Sequence, residues 1–324
     1  MKVLISTVPF ADRDQTPLNI LGEAGVEYVI NPLGRKFSRD ELFNEISSYD
    51  ALIAGTEVID KEIINHSTNL KLIARVGIGL DNVDLIAARN KGIQVCYTPD
   101  APSPAVGELT IAMMLTMLRQ IHISNDQMHE GVWHRFFGRR LSECTVGIIG
   151  AGRIGKQVIK LLSGFNVNRI LVNDIDTEIV IEESEKVEKI DKEEIYREAD
   201  IITVHVPLTM ETRCMISEKE IGMMKRDAIL VNTARGGIVD ETALFNALQN
   251  KKIGGAAVDV FEQEPYQGNL NELKNCLLTA HMGSMSIDCR ARMEREATED
   301  TVLYLLGKKP KRPVPNYEYE NQKK

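Results

Sequence analysis

The sequence is short of several things, and each shortage excludes something. No apolar run among its 324 residues reaches the length of a membrane span. The opening Met1-Lys2-Val3-Leu4-Ile5-Ser6 is too short an apolar stretch for a secretory signal, and no cleavage pattern follows it. It reads as a first strand. Basic charge is not in excess: 39 Lys and Arg face 47 Asp and Glu, a net charge of −8. That argues against a nucleic-acid partner, because phosphates need a basic face. The cluster Lys308-Lys309-Pro310-Lys311-Arg312 reads as a solvated end. The five cysteines (Cys96, Cys144, Cys214, Cys276, Cys289) are scattered, odd in number and without a C-x-x-C pair. Neither a disulfide framework nor a zinc site is expected, no metal is assigned, and a reducing cytoplasm is the simplest compartment. Low-complexity segments and short-period repeats are also missing.

What is present is a soluble, core-forming composition, 43% hydrophobic and 27% charged, in a chain long enough for two domains. Strand and helix patterns alternate from end to end, which implies an α/β fold with parallel sheets. The first unit reads as strands at Val3–Thr7, Val26–Ile30, Asp50–Ala54, Lys71–Arg75 and Ile93–Cys96, with helices at Arg39–Ser47 and Val83–Asn90. Ser38, with Glu41 three residues on, forms a capping-box pattern. A proline-rich break, "TPDAPSPA", precedes an apolar helix from Val106 to about Ile121. So apolar a helix must be covered by another domain or subunit, and Met113, Met114 and Met117 read as packing residues. A second unit begins at Thr145, with strands at Val146–Gly150, Ile170–Asn173, Ile201–His205, Ala228–Asn232, Gly255–Asp259 and Cys276–Thr279. A helix from Ile287 to about Leu306 ends the pattern.

"TVGIIGAGRIG" carries G-x-G-x-x-G at Gly150, Gly152 and Gly155, between a strand and a helix. In that setting the first glycine allows the tight turn. The second lets a pyrophosphate approach the backbone, and the third lets helix and strand pack closely. The helix N-terminus offers free N–H groups to the phosphates. Asp174 lies 19 residues beyond Gly155, at the end of the next strand. A carboxylate there accepts from the ribose hydroxyls and repels a 2′-phosphate, which favours NAD over NADP.

Three further charged residues follow apolar strands: Arg235 in "LVNTARGGIVDE", Glu264 in "AAVDVFEQEP" and His281 in "LLTAHMGS". Each alone reads as an ordinary surface or structural residue. Together, at strand ends where open α/β sheets bind ligands, they form a working set. Arginine holds a carboxylate bidentately, histidine exchanges a proton near neutral pH, and glutamate orients the ring. Beside a hydride carrier, the set fits interconversion of 2-hydroxy and 2-oxo acids.

The blocks "VGIIGAGRIGKQV", "MMKRDAILVNTARGGIVDETAL" and "GGAAVDVFEQEP", with Arg–Glu–His spacings of 29 and 17 residues, resemble the D-isomer-specific 2-hydroxyacid dehydrogenases over nearly the whole chain. The motifs look most like those of short 3-phosphoglycerate dehydrogenases. The resemblance implies two Rossmann-like or flavodoxin-like, doubly wound parallel-sheet domains with a cleft between them that holds the active site. Residues 1–98 and 286–324 would form a discontinuous substrate domain, and 99–285 the NAD-binding domain. His281 would be the general acid/base, Glu264 its partner, and Arg235 the holder of substrate carboxylate and 2-oxo oxygen, with Gly236 and Gly237 leaving room for backbone and substrate. Backbone N–H groups near Ile78 and Gly79 would hold the carboxylate from the other domain. Gly152, Arg153 and Ile154 would line the pyrophosphate, and Asp174 the adenosine ribose. Val206, Pro207 and Thr212 would pass over the dinucleotide. Thr233, Asp259 and Gly283 would lie at the nicotinamide end, with Asp259 on the carboxamide. His205 reads as structural or cofactor-lining. The helix from Gly107 to about Ile121 resembles the family's subunit-contact helix, which implies a homodimer burying a Met- and Leu-rich surface.

The substrate is less determined. Arg75 could offer positive charge to a phosphate, yet the turn in "LIAGTE" lacks the arginine usual in 3-phosphoglycerate dehydrogenases. With the chain ending at Lys324, no appended regulatory domain is expected. 3-Phosphoglycerate therefore stands beside hydroxypyruvate, glyoxylate or another 2-oxo acid. Glu264 argues against formate dehydrogenase, which carries glutamine there. "NDIDTE" has neither the neutral residue nor the arginine of an NADP enzyme. An NAD(H)-sensing protein of corepressor type is the alternative from another class.

Overall fold

A computed structural model describes residues 1–180 and 186–322. Positions 181–185 and 323–324, which fall within the domain ranges expected above, lie outside the described residues. In chain order the elements are β1 (Lys2–Ile5), α1 (Thr16–Glu23), β2 (Glu27–Ile30), α2 (Arg39–Glu45), β3 (Ala51–Ala54), α3 (Lys61–His66), β4 (Leu72–Arg75), α4 (Leu85–Asn90) and β5 (Gln94–Cys96). There follow α5 (Ser103–Arg119), α6 (Ile121–His129), β6 (Thr145–Ile149), α7 (Arg153–Gly164), β7 (Arg169–Asn173), β8 (Val187–Lys189), α8 (Lys192–Glu198), β9 (Ile201–Val204) and α9 (Glu218–Met223). The rest is β10 (Ile229–Asn232), α10 (Glu241–Gln249), β11 (Gly255–Val258), β12 (Cys276–Leu278), α11 (Ile287–Leu305) and α12 (Asn316–Asn321). They form two compact units, Met1–Pro102 with Ser284–Lys324, and Ser103–Gly283.

The first unit holds a parallel sheet ordered β2-β1-β3-β4-β5. Its inner strands are mostly apolar because helices cover both faces; every residue of β3 and β4 is buried, Arg75 at the end of β4 included. Ser38 caps α2 as the pattern predicts: its side chain accepts from Glu41 N, and Glu41 accepts from Ser38 N at 2.8 Å. Chain order reverses between β1 and β3, so the carboxyl ends of these two strands flank this sheet's topological switch point.

The second unit holds a parallel sheet ordered β12-β11-β10-β9-β6-β7-β8, and its switch point lies between β6 and β9. The strands begin or end within a residue or so of the expected bounds. The exception is β8, Val187-Glu188-Lys189, an edge strand with no apolar run to betray it. The methionine-rich helix α5 corrects one expectation. Met113, Met114 and Met117 are buried within this unit's own core, against Val146, Ile148, Val231 and Ala257. Gly107 brings α5 close to α7: a Cβ there would lie 2.8 Å from Gln157 Cγ. The methionine face is therefore not the surface left for a second subunit. Several exposed apolar side chains follow it, at Ile121, Met128, Val132, Trp133 and Phe137, the last two 76% and 100% exposed.

Candidate active site

The glycine loop joins β6 to α7. Gly150 has φ +94°, and a Cβ on it would lie 2.6 Å from the His205 carbonyl oxygen. Gly155 is closer still, since a Cβ there would sit 2.1 Å from Gly150 O. These two glycines serve strand, turn and helix. Gly152, the N-cap of α7, has no atom within 4 Å of the place a Cβ would take. The loop thus presents bare backbone beside a helix N-terminus, followed by Arg153 and Ile154, which suits a pyrophosphate. Asp174 ends in the same place: its Oδ2 accepts from Ala151 N at 2.6 Å, and its Oδ1 from Asp176 N at 2.9 Å. It lines a cavity with Asp176, Asp191, Glu194 and Lys189.

After β9, Val206 and Pro207 lead into a turn closed by Thr212, whose hydroxyl donates to Pro207 O at 2.6 Å. The His205 ring meets Thr203 Oγ1 at 3.0 Å through Nε2, while Nδ1 is buried without a partner. Burial pushes its pKa down to about 3, so it is neutral at physiological pH.

The three remaining groups follow β10, β11 and β12, adjacent strands on one side of the switch point. Asn232 ends β10 and shapes the turn behind it. Its Oδ1 accepts from Ala234 N at 3.0 Å, and its Nδ2 donates to Arg235 O at 2.9 Å. Arg235 Nη1 donates to Ala234 O at 2.7 Å. Gly236 is needed because a Cβ would lie 2.0 Å from Phe261 C and O; Gly237 has φ +79°. The space Gly236 clears is therefore taken by the protein's own backbone, which brings Arg235's turn against the loop leading to Glu264.

His281 is held firmly. Its Nδ1 lies 2.8 Å from Glu264 Oε2 and 3.0 Å from Oε1, and Phe261 N donates to Glu264 Oε1 at 3.2 Å. Because a carboxylate only accepts, Nδ1 carries the hydrogen and Nε2 is left to face a ligand. The residue itself has φ +48°, a strained conformation for a non-glycine. Asp259, 1% exposed, stabilises it. Its backbone oxygen accepts from His281 N at 2.8 Å. Its carboxylate accepts from Thr279 Oγ1 at 2.5 Å, Met282 N at 2.9 Å and Gly283 N at 2.9 Å. Asp259 thus braces the histidine turn. Thr233 is buried, with its hydroxyl 2.9 Å from that of Thr110. Asn232 and Thr279 were missed by sequence reasoning. An asparagine directly after a buried strand and before a turn is the signal that could have found the first.

The other predicted residues lie in the first unit. Arg75 is buried, donating from Nε to Asn82 Oδ1 at 3.2 Å and from Nη1 to Val76 O. Gly77 has φ +147°, and a Cβ on it would lie 2.6 Å from Arg75 Nη1. Arg75 thus buttresses the loop that carries Ile78 and Gly79. No group of His, Cys, Asp and Glu among the described residues could hold a metal ion.

A glycine-turn dinucleotide site beside an Arg–Glu–His set defines an oxidoreductase of the Rossmann type. The sequence model for the D-isomer specific 2-hydroxyacid dehydrogenase, NAD binding domain, matches residues 111–283. The chain belongs to this family of NAD-dependent oxidoreductases. D-3-phosphoglycerate dehydrogenase of Methanocaldococcus jannaschii is 40% identical over 296 residues, 90% of this chain and 55% of that one. The chain therefore spans about half of that relative's length. Glyoxylate reductase of Thermofilum pendens is 38% identical over 286 residues, 84% of this chain and 83% of that one. Among solved structures, the TT0316 protein from Thermus thermophilus is similar with TM-score 0.88 and 33% identity, over 97% of this chain and all of that one.

Proposed function

We propose that the protein interconverts a small D-2-hydroxy acid and its 2-oxo acid with NAD(H). The observation that carries this is the His281–Glu264 pair at 2.8 Å, fixed in a strained turn by Asp259. NADH, when bound, supplies the hydride, and the oxidised form accepts it in reverse. Gly152, Arg153 and Ile154 would hold its pyrophosphate and Asp174 its ribose. The cavity beside Asp174 has four carboxylates and one ammonium, Lys189, in its lining, which disfavours a 2′-phosphate and hence NADP. His281 delivers a proton from Nε2 to the 2-oxo oxygen and takes it back in the oxidation, with Glu264 stabilising the charged ring. Arg235 binds the substrate carboxylate and polarises the neighbouring carbonyl. Ile78 and Gly79 would offer backbone N–H groups to a substrate carboxylate.

3-Phosphoglycerate, hydroxypyruvate and glyoxylate remain the substrates to test. The assay is NADH oxidation with a panel of 2-oxo acids, NADPH run beside it, and chiral analysis of the product. Turnover with NADH to a D-product is expected. Tight NADH binding without turnover on any 2-oxo acid would overturn the reading.

The proposed assembly is a homodimer, formed through the exposed apolar stretch from Ile121 to Phe137 and not through the methionines of α5. Exposed patches of this kind mark contact sites. Sedimentation of the wild type and of a Trp133→Glu, Phe137→Glu variant tests it, with a monomeric double variant expected. The cysteines are free and four of the five are buried, which fits the cytoplasm proposed as the compartment.

A further inference from the structure

The carboxyl ends of β1 and β3 flank the first unit's switch point, and a carboxylate is built into it. Glu57, three residues beyond β3, is 1% exposed. Its Oε1 accepts from Gly55 N at 3.1 Å and from the Ser6 hydroxyl just beyond β1. Both of these bonds fall on Oε1. Oε2 folds back over Gly55, where a Cβ would lie 2.9 Å from it and 3.1 Å from Thr7 Oγ1. Gly55 and Glu57 are therefore one device: the glycine makes room for the acid. The same turn is tied to the loop carrying Ile78 and Gly79. Val76 N donates to Ala54 O at 2.9 Å, and Asn82 Nδ2 donates to Gly55 O at 3.2 Å and Glu57 O at 2.7 Å.

The cations around this point are engaged. Arg75 buttresses its own loop. Arg290 donates to Thr7 Oγ1 at 2.8 Å and to Pro9 O, and pairs with the buried Glu294 at 2.5 Å. Arg290 thus faces a buried acid of its own, Glu294. An anionic distal group beside Glu57 would meet a like charge with little water to screen it.

We infer that Glu57 sets the substrate class: a 2-oxo acid whose distal group donates a hydrogen bond, such as a hydroxyl, and not one bearing phosphate or a second carboxylate. The inference rests on the 2-oxo acid reading above. It makes Glu57 a specificity-determining residue at the switch point, with Oε2 as the acceptor.

The test compares kcat/KM for glyoxylate, hydroxypyruvate, 3-phosphohydroxypyruvate and oxaloacetate in the wild type and in Glu57→Gln, which keeps the shape and the acceptor for Gly55 N. The wild type should prefer hydroxypyruvate to both of the more highly charged acids by about 100-fold. Glu57→Gln should lower that preference at least about tenfold, mainly through KM of the more highly charged substrates. A merely structural role would lower all substrates together and leave the ratio unmoved. Wild-type preference for the phosphorylated acid overturns the inference without any variant, and so does an unchanged ratio in a folded Glu57→Gln enzyme. In both cases turnover would leave the dehydrogenase reading standing. Failure of every 2-oxo acid, glyoxylate included, would sink that reading itself and this inference with it.

Discussion

The two units are built alike, as parallel doubly wound sheets, yet they put different things at their strand ends. The second unit presents reactive side chains: a guanidinium after β10, a carboxylate after β11 and an imidazole after β12, with a bare glycine turn after β6. The first presents backbone and buried charge. Its loop from Arg75 to Asp84 is braced by an arginine that bonds inward, and its switch point holds a carboxylate with almost no exposure. Chemistry that changes bonds needs side chains whose protonation and charge can act on the ligand. Holding and selecting a ligand can be done with backbone donors and fixed charge. On the proposed reading, turnover belongs to the second unit and selection to the first.

The sharpest way to break this division is at His281. Removing the ring in His281→Ala should lower kcat by about 10³-fold, within the span of general acid/base catalysis, while NADH affinity measured by fluorescence changes little. Full turnover would refute the mechanism. Next in size are the glycines, which separate support of the fold from support of a ligand inside one unit. Gly236→Ala would drive a methyl group into the Phe261 backbone at 2.0 Å. Overpacking of that order costs about 3 kcal/mol, so the melting temperature and the activity should fall together. Gly152→Ala meets nothing within 4 Å. Its melting temperature should hold while its NADH dissociation constant rises. If both variants melted alike, the separation would be wrong.

How far the sequence could be read follows the same division. The glycine loop, Asp174 and the Arg–Glu–His order were legible because each needs a particular residue type at a fixed distance from an apolar strand. Strand cores were legible because buried parallel strands are continuous apolar runs, as in Ile229-Leu230-Val231. The polar edge strand β8 offered no such run. Helix α5 was legible as buried, but what buries it was not, because periodicity gives a face and not its partner. Nothing in "AGTEV" marks Glu57 as buried; only the fold reveals Ser6 beside it, 51 residues away in sequence. Asp259 was expected to face the cofactor, and its bonds to Thr279, Met282 and Gly283 became visible only once β11 and β12 lay side by side.

A smaller effect concerns the cofactor side of the second unit. Asp174 accepts from Ala151 N, within the glycine loop, so it both shapes the loop and, on the proposed reading, holds the ribose. Asp174→Ala should cut the preference for NADH over NADPH by about tenfold, a loss of about 1.4 kcal/mol of discrimination. Matched kcat/KM values for the two cofactors measure it. An unchanged ratio would confine Asp174 to bracing the loop.

A last effect, on stability and not on activity, separates the buried His205 from the proposed acid/base His281 within the same unit. His205 has its pKa pushed down to about 3 by burial, against about 6.5 in the unfolded chain. Above pH 6.5 neither state takes the proton, and this group leaves stability unaffected. Between pH 6.5 and 3 the unfolded chain binds a proton that the folded chain refuses, so stability falls as pH falls, by up to about 1.4 kcal/mol per pH unit. Urea midpoints measured from pH 7 to pH 5 should therefore drop more steeply in the wild type than in His205→Gln, whose side chain does not titrate. Equal slopes for the wild type and His205→Gln would mean that the ring takes up its proton in the folded state, and that Nδ1, buried without a partner here, finds one there.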